Sequence, residues 1–131
     1  MSTQDPVERL VDAINSHDPQ KVADCFTTDY RAEVPHRPAE GFIGNQQVLA
    51  NWTAIFSRLP DIRGRVLRRA TAGPEFWAEF EYVGTGPDGA TAVLGGPAII
   101  WARDGLIARS RFYLAPVPVP VPAPEPAPTG G

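Results

Sequence analysis

The chain has 131 residues, which is enough for one domain and too few for two domains of ordinary size. Hydrophobic residues make up 43% and charged residues 21%, and the formal charge of −3 gives no basic surplus for binding nucleic acid. No apolar run approaches the roughly 18 residues of a membrane-spanning helix, and the first residues lack the basic and apolar segments of a signal peptide. We therefore expect a cytoplasmic globular protein that binds neither nucleic acid nor a membrane.

Capping signals predict two helices near the N-terminus. An aspartate stands directly before a proline at residues 5–6 and again at residues 18–19, and both pairs are typical of helix starts. Apolar residues recur at helical spacing over residues 6–16. The second helix is expected to carry Phe26 on its apolar face and to end at residues 27–29.

After the first two helices, the spacing of apolar residues predicts one more helix and then changes to the alternation of strands. A short strand over residues 30–36 and a glycine-containing loop precede a third helix over residues 45–59. Alternating residues then predict four strands, at 61–71, 75–84, 91–103 and 106–115. This order predicts an α+β fold, in which three helices cover one face of a curved, mainly antiparallel sheet made of one short early strand and a four-strand meander. Such a cone encloses a cavity.

Proline is unusually frequent, with 15 residues in the chain, and seven of them lie between Pro116 and Pro128. Because proline has no backbone donor, residues 116–131 are expected to form a disordered Pro-rich tail, which leaves residues 1–115 as the single domain. Within the domain, Pro97 lies inside a predicted strand beside two glycines and predicts a bulge that bends the sheet.

Four segments in this order carry a resemblance to a known superfamily, and they are residues 7–30, 41–62, 76–89 and 101–117. They resemble the nuclear transport factor 2-like superfamily, in its SnoaL-like and ketosteroid isomerase-like branch. The resemblance covers residues 5–115 and implies a cone-shaped α+β fold with a cavity between helices and sheet. The superfamily includes isomerases, cyclases, epoxide hydrolases, dehydratases and non-catalytic binding proteins, so the resemblance leaves the activity open.

The catalytic positions of the isomerase-like enzymes are apolar in this chain. The resemblance places Leu10 where those enzymes carry an oxyanion-binding tyrosine, Val34 at their general base and Ala98 at their second acid. The arginine and two aspartates of the limonene epoxide hydrolase-like enzymes fall on three aromatic residues, Phe80, Tyr82 and Phe112. A base and oxyanion donors are therefore missing at the positions where these enzymes have them, and whether the chain is an enzyme stays open.

A hydrophobic cavity is the functional feature that the pattern predicts most directly. Strand alternation and the resemblance together place one set of side chains inward, and the expected ligand-binding residues are Leu10, Val34, Trp52, Phe80, Ala98, Ile100, Ser110 and Phe112. They predict binding of a small hydrophobic ligand, polycyclic ligands included. We expect no organic cofactor. We also expect no metal, because the two histidines and the one cysteine are not spaced as a metal-ligand set.

His36 and Tyr82 are the catalytic candidates if the chain is an isomerase or a cyclase. Imidazole titrates near neutral pH, so His36 suits a general base, and Arg37 beside it suits an anion. Tyr82 is placed to donate to a carbonyl. Two alternatives stay open: His36 is a loop residue without a chemical role, or the protein is a non-catalytic dimeric domain whose cavity is filled by its own side chains.

The opposite face of the predicted sheet carries aromatic and charged side chains, namely Trp77, Trp101, Arg109, Arg111 and Tyr113. An exposed aromatic patch with arginines around it is typical of a partner surface. Because the superfamily commonly dimerises through this face, the resemblance implies a homodimer. Glu79 and Glu81 share the face, either as an acid pair or as solvated or dimer-facing carboxylates balanced by Arg109 and Arg111.

Overall fold

In the computed structural model, which describes residues 5–119, three α-helices form one layer of the fold. Helix α1 (Pro6–Asn15) is capped by Asp5, whose carboxylate accepts a hydrogen bond from the Glu8 amide at 2.9 Å. Asp18 caps helix α2 (Pro19–Ala23) in the same way. Helix α3 spans Asn45–Arg58, as the apolar spacing predicts.

The second helix is shorter than the sequence predicts. It ends at Ala23, and strand β1 (Phe26–Glu33) already begins where a helical end and a later strand were expected. Both boundary predictions were wrong because tertiary pairing decides this segment. The Cys25 carbonyl accepts a hydrogen bond from the Ile107 amide at 2.8 Å, and β-branched Thr27 and Thr28 suit a strand. Phe26 therefore reaches the core from the sheet.

The strands form one mixed sheet in the order β2-β1-β6-β5-β4-β3, with β7 paired to β5. Their bounds are β2 (Phe42–Ile43), β3 (Arg63–Ala72), β4 (Glu75–Thr85), β5 (Thr91–Arg103), β6 (Leu106–Phe112) and β7 (Ala115–Pro116). Strands β3 to β6 are the predicted antiparallel meander, and β1 joins it through parallel pairing with β6. The predicted α+β fold, with a curved and unclosed sheet under the helices, is confirmed.

Strand β5 changes partner near its middle. Its pairing with β4 runs without interruption past Pro97, so the bulge predicted there is not found. Instead, the pairing with β6 stops at Ala98, and β7 pairs with β5 at Gly95. Gly96 lies at the change with φ +141°, and a Cβ atom on it would stand 2.6 Å from the Tyr113 carbonyl oxygen. Only glycine fits at position 96 without strain.

The hydrogen-bonded chain continues slightly beyond residue 115, where the sequence places the domain boundary. The Val117 amide donates to the Val93 carbonyl at 2.8 Å, so β7 holds the start of the proline-rich segment against β5. The remainder of the predicted disordered tail, from residue 120, lies outside the described residues. Among residues 5–119, no helix is both long and apolar enough to cross a lipid bilayer.

The helices cover the sheet face that alternation predicts. Every second residue of β4 is buried from Ala78 to Tyr82, while Trp77 on the other parity is 42% exposed. The buried face of the sheet includes Ala78, Phe80, Tyr82, Ala98, Ile100 and Ser110. The hydroxyl groups of Tyr30 and Ser110 form a hydrogen bond inside this core. The predicted assignment of the inner and outer sheet faces is thus found in the structure.

Candidate functional site

A cavity of about 630 Å³ lies between α3, the segment of residues 34–42 and the inner face of the sheet, and it opens to solvent. We call it the main cavity. Its apolar wall is formed by Leu10, Phe26, Val34, Phe42, Trp52, Leu94, Phe112 and Leu114. Its volume lies within the range of about 300–1,000 Å³ that is typical of small-molecule sites.

The structure brings five of the predicted site residues to this wall, and they are Leu10, Val34, Trp52, Tyr82 and Phe112. Four others lie in the packed core behind it, each with no solvent-exposed surface, and they are Phe80, Ala98, Ile100 and Ser110. These four side chains share the inward parity of the strands, but their neighbours enclose them completely. Inward direction alone therefore does not bring a residue to the cavity.

His36 does not line the main cavity. Its ring stacks on Tyr113 with 6.2 Å between ring centroids and an angle of 15° between the planes, and Tyr113 is 38% exposed. The adjacent Arg37 does line the cavity. Its Nε lies 3.3 Å from Oε2 of Glu40, and one of its terminal nitrogens donates to the Leu114 carbonyl at 3.3 Å.

Tyr82 is the buried polar side chain of the cavity wall, with only 4% of its surface exposed. Its ring packs edge-on against Trp52 at 5.7 Å and stacks on Phe80 at 5.8 Å. Burial raises the pKa of Tyr82 well above the ordinary tyrosine value. Among residues 5–119 its hydroxyl makes no hydrogen bond, yet it is not sealed inside the core. The hydroxyl therefore stays protonated at neutral pH and can donate a hydrogen bond.

A second cavity of about 360 Å³ adjoins the main cavity. Trp52, Tyr82 and Leu94 line both, so the Trp52–Tyr82 pair forms part of the partition between them. We call it the distal cavity. It lies between the C-terminal half of α3 and the β4–β5 hairpin, and its apolar wall includes Ile55, Leu59, Ile62, Val93 and Pro116. Arg58 and Asp88 are its charged lining residues.

The main cavity is equipped for hydrogen-bond donation and apolar contact. Glu40 is the carboxylate in its wall, and Arg37 pairs with it. Gln47 and Asn51 add amides at the α3 side and hydrogen-bond each other at 2.7 Å. Within residues 5–119, no group of three or more His, Cys, Asp or Glu side chains is arranged to hold a metal ion.

The predicted set of ligand-binding residues missed four apolar wall residues, Phe26, Phe42, Leu94 and Leu114. The sequence pattern predicts Phe26 in a helix and Phe42 in a loop. In the structure Phe42 lies in β2 and pairs with Ala32 of β1. Leu94 shares the parity of Ala98 and Ile100 along β5, so extending the alternation by two more steps could have found it.

The outer face of the sheet has the predicted aromatic and charged composition. The Arg109 guanidinium lies 4.6 Å from the centroid of the Trp101 ring, and its Nε is 2.6 Å from Glu33. Arg111 also approaches Glu33, at 3.7 Å, whereas Glu81 pairs with Arg65 at 2.8 Å. The expected balancing of the β4 carboxylates by Arg109 and Arg111 is therefore wrong, because β1 lies next to β6 and supplies Glu33 instead.

Solved structures share this fold at low sequence identity. IdmH of Streptomyces antibioticus, proposed to be a polyketide cyclase, aligns with a TM-score of 0.70 and 17% identity over 85% of this chain and 88% of its own. A SnoaL-like protein of Shewanella denitrificans, also proposed to be a polyketide cyclase, gives 0.70 and 12% over 84% and 88%. A protein of Catenulispora acidiphila with a ketosteroid isomerase-like fold, crystallised with trimethylamine, gives 0.67 and 15% over 84% and 85%.

No curated protein matches the chain significantly. The structural neighbours confirm the expected nuclear transport factor 2-like fold, and at these identities they carry the fold alone. The family model of the SnoaL-like domain matches residues 7–110, which is most of the chain. The protein belongs to the SnoaL-like domain family.

Proposed function

We propose that this protein binds a small hydrophobic ligand in the main cavity, and that the ligand is a flat polycyclic molecule with a carbonyl group. The observation that carries the proposal is an apolar cavity of about 630 Å³ with the unpaired Tyr82 hydroxyl in its wall. Aromatic rings in the wall suit a flat ligand, because ring faces and edges pack closely against one another.

The Tyr82 hydroxyl indicates that the ligand carries a hydrogen-bond acceptor. This hydroxyl has no protein partner within residues 5–119, so an apolar ligand that displaced water without offering an acceptor would leave the donor unpaired, at a cost of about 1–3 kcal/mol. A ligand carbonyl within reach would remove that cost and orient the ring system against Trp52. Ligands that offer an acceptor are therefore favoured over pure hydrocarbons.

Binding is proposed in preference to turnover because, among residues 5–119, no free base stands in the wall. A general base has to lie within hydrogen-bond reach of the proton that it removes. His36, the base of the isomerase or cyclase alternative with Tyr82, stacks on Tyr113 instead, and Glu40 is engaged by Arg37. A non-catalytic domain with a filled interior also fits poorly, since the main cavity is open.

The test is binding of Prodan, a neutral fluorescent naphthyl ketone whose emission responds to hydrogen bonding at its carbonyl. We expect micromolar binding to the purified protein and an affinity about threefold to tenfold weaker for Tyr82→Phe, the equivalent of one net hydrogen bond. The emission of bound Prodan should shift to the blue in that variant. Tyr113→Phe is the matched control and should bind as the parent does.

Two results would overturn the proposal. Prodan that fails to bind the parent protein would remove the pocket function for ligands of this class. Equal affinity and equal emission in the parent and in Tyr82→Phe would remove the donor role of that hydroxyl.

We also propose a homodimer through the outer sheet face formed by Trp77, Trp101, Arg109, Arg111 and Tyr113. A two-fold interface places the same surface on both sides, so it has to complement itself. This face joins exposed aromatic surface at Trp77 and Tyr113 with charges of both signs, since β4 adds Glu79 and Glu81 on the same parity. A second copy of the chain is therefore a fitting occupant.

A further inference from the structure

The lining of the distal cavity includes a positively charged side chain without an ion-pair partner within residues 5–119. Arg58 lies in the last turn of α3, lines this cavity, and forms no ion pair within residues 5–119. By contrast, Arg37 at the main cavity is paired with Glu40. An unpaired guanidinium beside an apolar wall is a ready partner for a carboxylate or sulfonate, because its planar donors match two oxygens of such a group.

Two carboxylates in the segments around this cavity accept hydrogen bonds from backbone amides. Asp88 Oδ1 accepts from the Ala90 amide at 3.0 Å and holds the β4–β5 turn. Asp61 Oδ1 accepts from the Thr85 amide at 2.7 Å, which lowers the pKa of that carboxyl group. Neither carboxylate forms an ion pair with Arg58 within residues 5–119, and Arg58 is the cation in the lining of this cavity.

The wall of the distal cavity is otherwise mostly apolar, and it shares Trp52, Tyr82 and Leu94 with the wall of the main cavity. A volume of about 360 Å³ is large enough for a bicyclic aromatic group. The combination of an apolar chamber and a cation at its rim selects amphipathic anions, which bury their hydrocarbon part and keep the charge at the surface.

We propose that the distal cavity is a second subsite, which takes the apolar part of an anionic ligand whose carboxylate or sulfonate pairs with Arg58. The proposal rests on the pocket function proposed above and extends it: the ligand class becomes apolar organic anions, with the ring system at Tyr82 and the charged end at Arg58.

The test uses two fluorescent probes that differ by one charge. 1-Anilinonaphthalene-8-sulfonate carries a sulfonate, and N-phenyl-1-naphthylamine is the same ring system without it. In Arg58→Gln we expect the sulfonate probe to bind about threefold to tenfold more weakly, the range for one partly exposed charge-assisted contact. The affinity of the neutral probe should stay within twofold. Added salt should weaken only the sulfonate probe in the parent protein.

Arg63→Gln is the matched control, because Arg63 is also exposed and lines neither cavity. It should leave both affinities unchanged. Ala92→Phe places a ring in the distal cavity and should weaken the sulfonate probe more than tenfold while Prodan still binds. Ala39→Phe alters the main cavity instead and should weaken Prodan alone.

The outcomes separate the two proposals. If the sulfonate probe binds equally to the parent and to Arg58→Gln, or responds to Ala39→Phe and not to Ala92→Phe, the second subsite is overturned while the pocket function stands. If neither Prodan nor the sulfonate probe binds the parent protein, both proposals fail.

Discussion

Two buried tyrosines show how the same side chain takes different roles in one core. The Tyr30 hydroxyl is hydrogen-bonded to Ser110, whereas the Tyr82 hydroxyl has no partner within residues 5–119. Burial raises the pKa of both groups above the ordinary value, because an apolar surrounding disfavours the phenolate. The Tyr30 hydroxyl is thus paired within the core, whereas the Tyr82 hydroxyl is available to the ligand that we propose for the main cavity.

This difference between folded and unfolded tyrosines predicts alkaline destabilisation. Above about pH 10 the unfolded tyrosines lose protons while Tyr30 and Tyr82 keep theirs in the fold, so the unfolded state binds fewer protons. The free energy of unfolding should then fall as pH rises, by about 1.4 kcal/mol per pH unit for each tyrosine. Urea unfolding between pH 10 and 11.5 measures this slope.

Tyr82→Phe should remove roughly half of that slope, since Tyr30 remains. The measurement is best made in a Cys25→Ala background, because burial also raises the pKa of that thiol. Tyr113→Phe serves as the control on the outer surface. An unchanged slope in Tyr82→Phe would show that its hydroxyl ionises equally in both states.

Strand β5 is the element that shapes the cavities. It pairs with β4 over residues 91–101, with β6 from Ala98 onward and with β7 at Leu94 and Gly95. Leu94, at the end of β5 that pairs with β7, lies in the wall of both cavities. Gly96 permits the change of partner, since a Cβ there would stand 2.6 Å from a backbone oxygen.

Gly96→Ala should therefore destabilise the fold by about 3 kcal/mol or more, from a strained φ together with a backbone clash. Gly73→Ala is the matched control: its φ is +57°, but nothing lies within 4 Å of the added carbon. It should cost only about 1–2 kcal/mol. Urea unfolding of both variants checks the difference, and equal losses would show that the β5 crossing relaxes freely.

The elements also show what the sequence can predict. Caps and apolar spacing are local signals, so α1 and α3 and the faces of β4 follow from them. The start of β1 depends on pairing with β6, which is distant in sequence. The local pattern around Phe26 therefore predicts a helix where the structure has a strand.

The candidate site is predictable only in part, for the same reason. Alternation tells that Tyr82 and Phe80 both point inward, but only the packing shows that Tyr82 meets a cavity while Phe80 is enclosed. Between the neighbours His36 and Arg37, the conformation of the loop decides which one reaches the wall. Arg58 was not singled out, because an arginine at a helix end is ordinary in a sequence.

At the scale of the whole molecule, the proposed dimer places the cavities on the side away from the contact. We expect sedimentation of the parent protein at micromolar concentration to give twice the chain mass. Trp77→Asp should raise the dimer dissociation constant more than tenfold, since it places a charge beside Glu79 in a desolvated aromatic patch.

Ala54→Asp, an exposed change on α3, is the control and should leave the dimer intact. A parent protein that sediments only as a single chain at these concentrations would remove the dimer. Native mass spectrometry reads the oligomeric state and any co-purified ligand in the same spectrum.

The parallel pairing of β1 with β6 sets an order of events during synthesis. The Tyr30–Ser110 hydrogen bond joins residues 80 positions apart, so the N-terminal third leaves the ribosome long before its partner strand exists. Until then, β1 has no β6 to pair with, and the inner face of the sheet is incomplete. Long-range closure of this kind slows folding and leaves exposed apolar surface in the meantime. The nascent chain is thus most vulnerable to aggregation just before its last hairpin emerges.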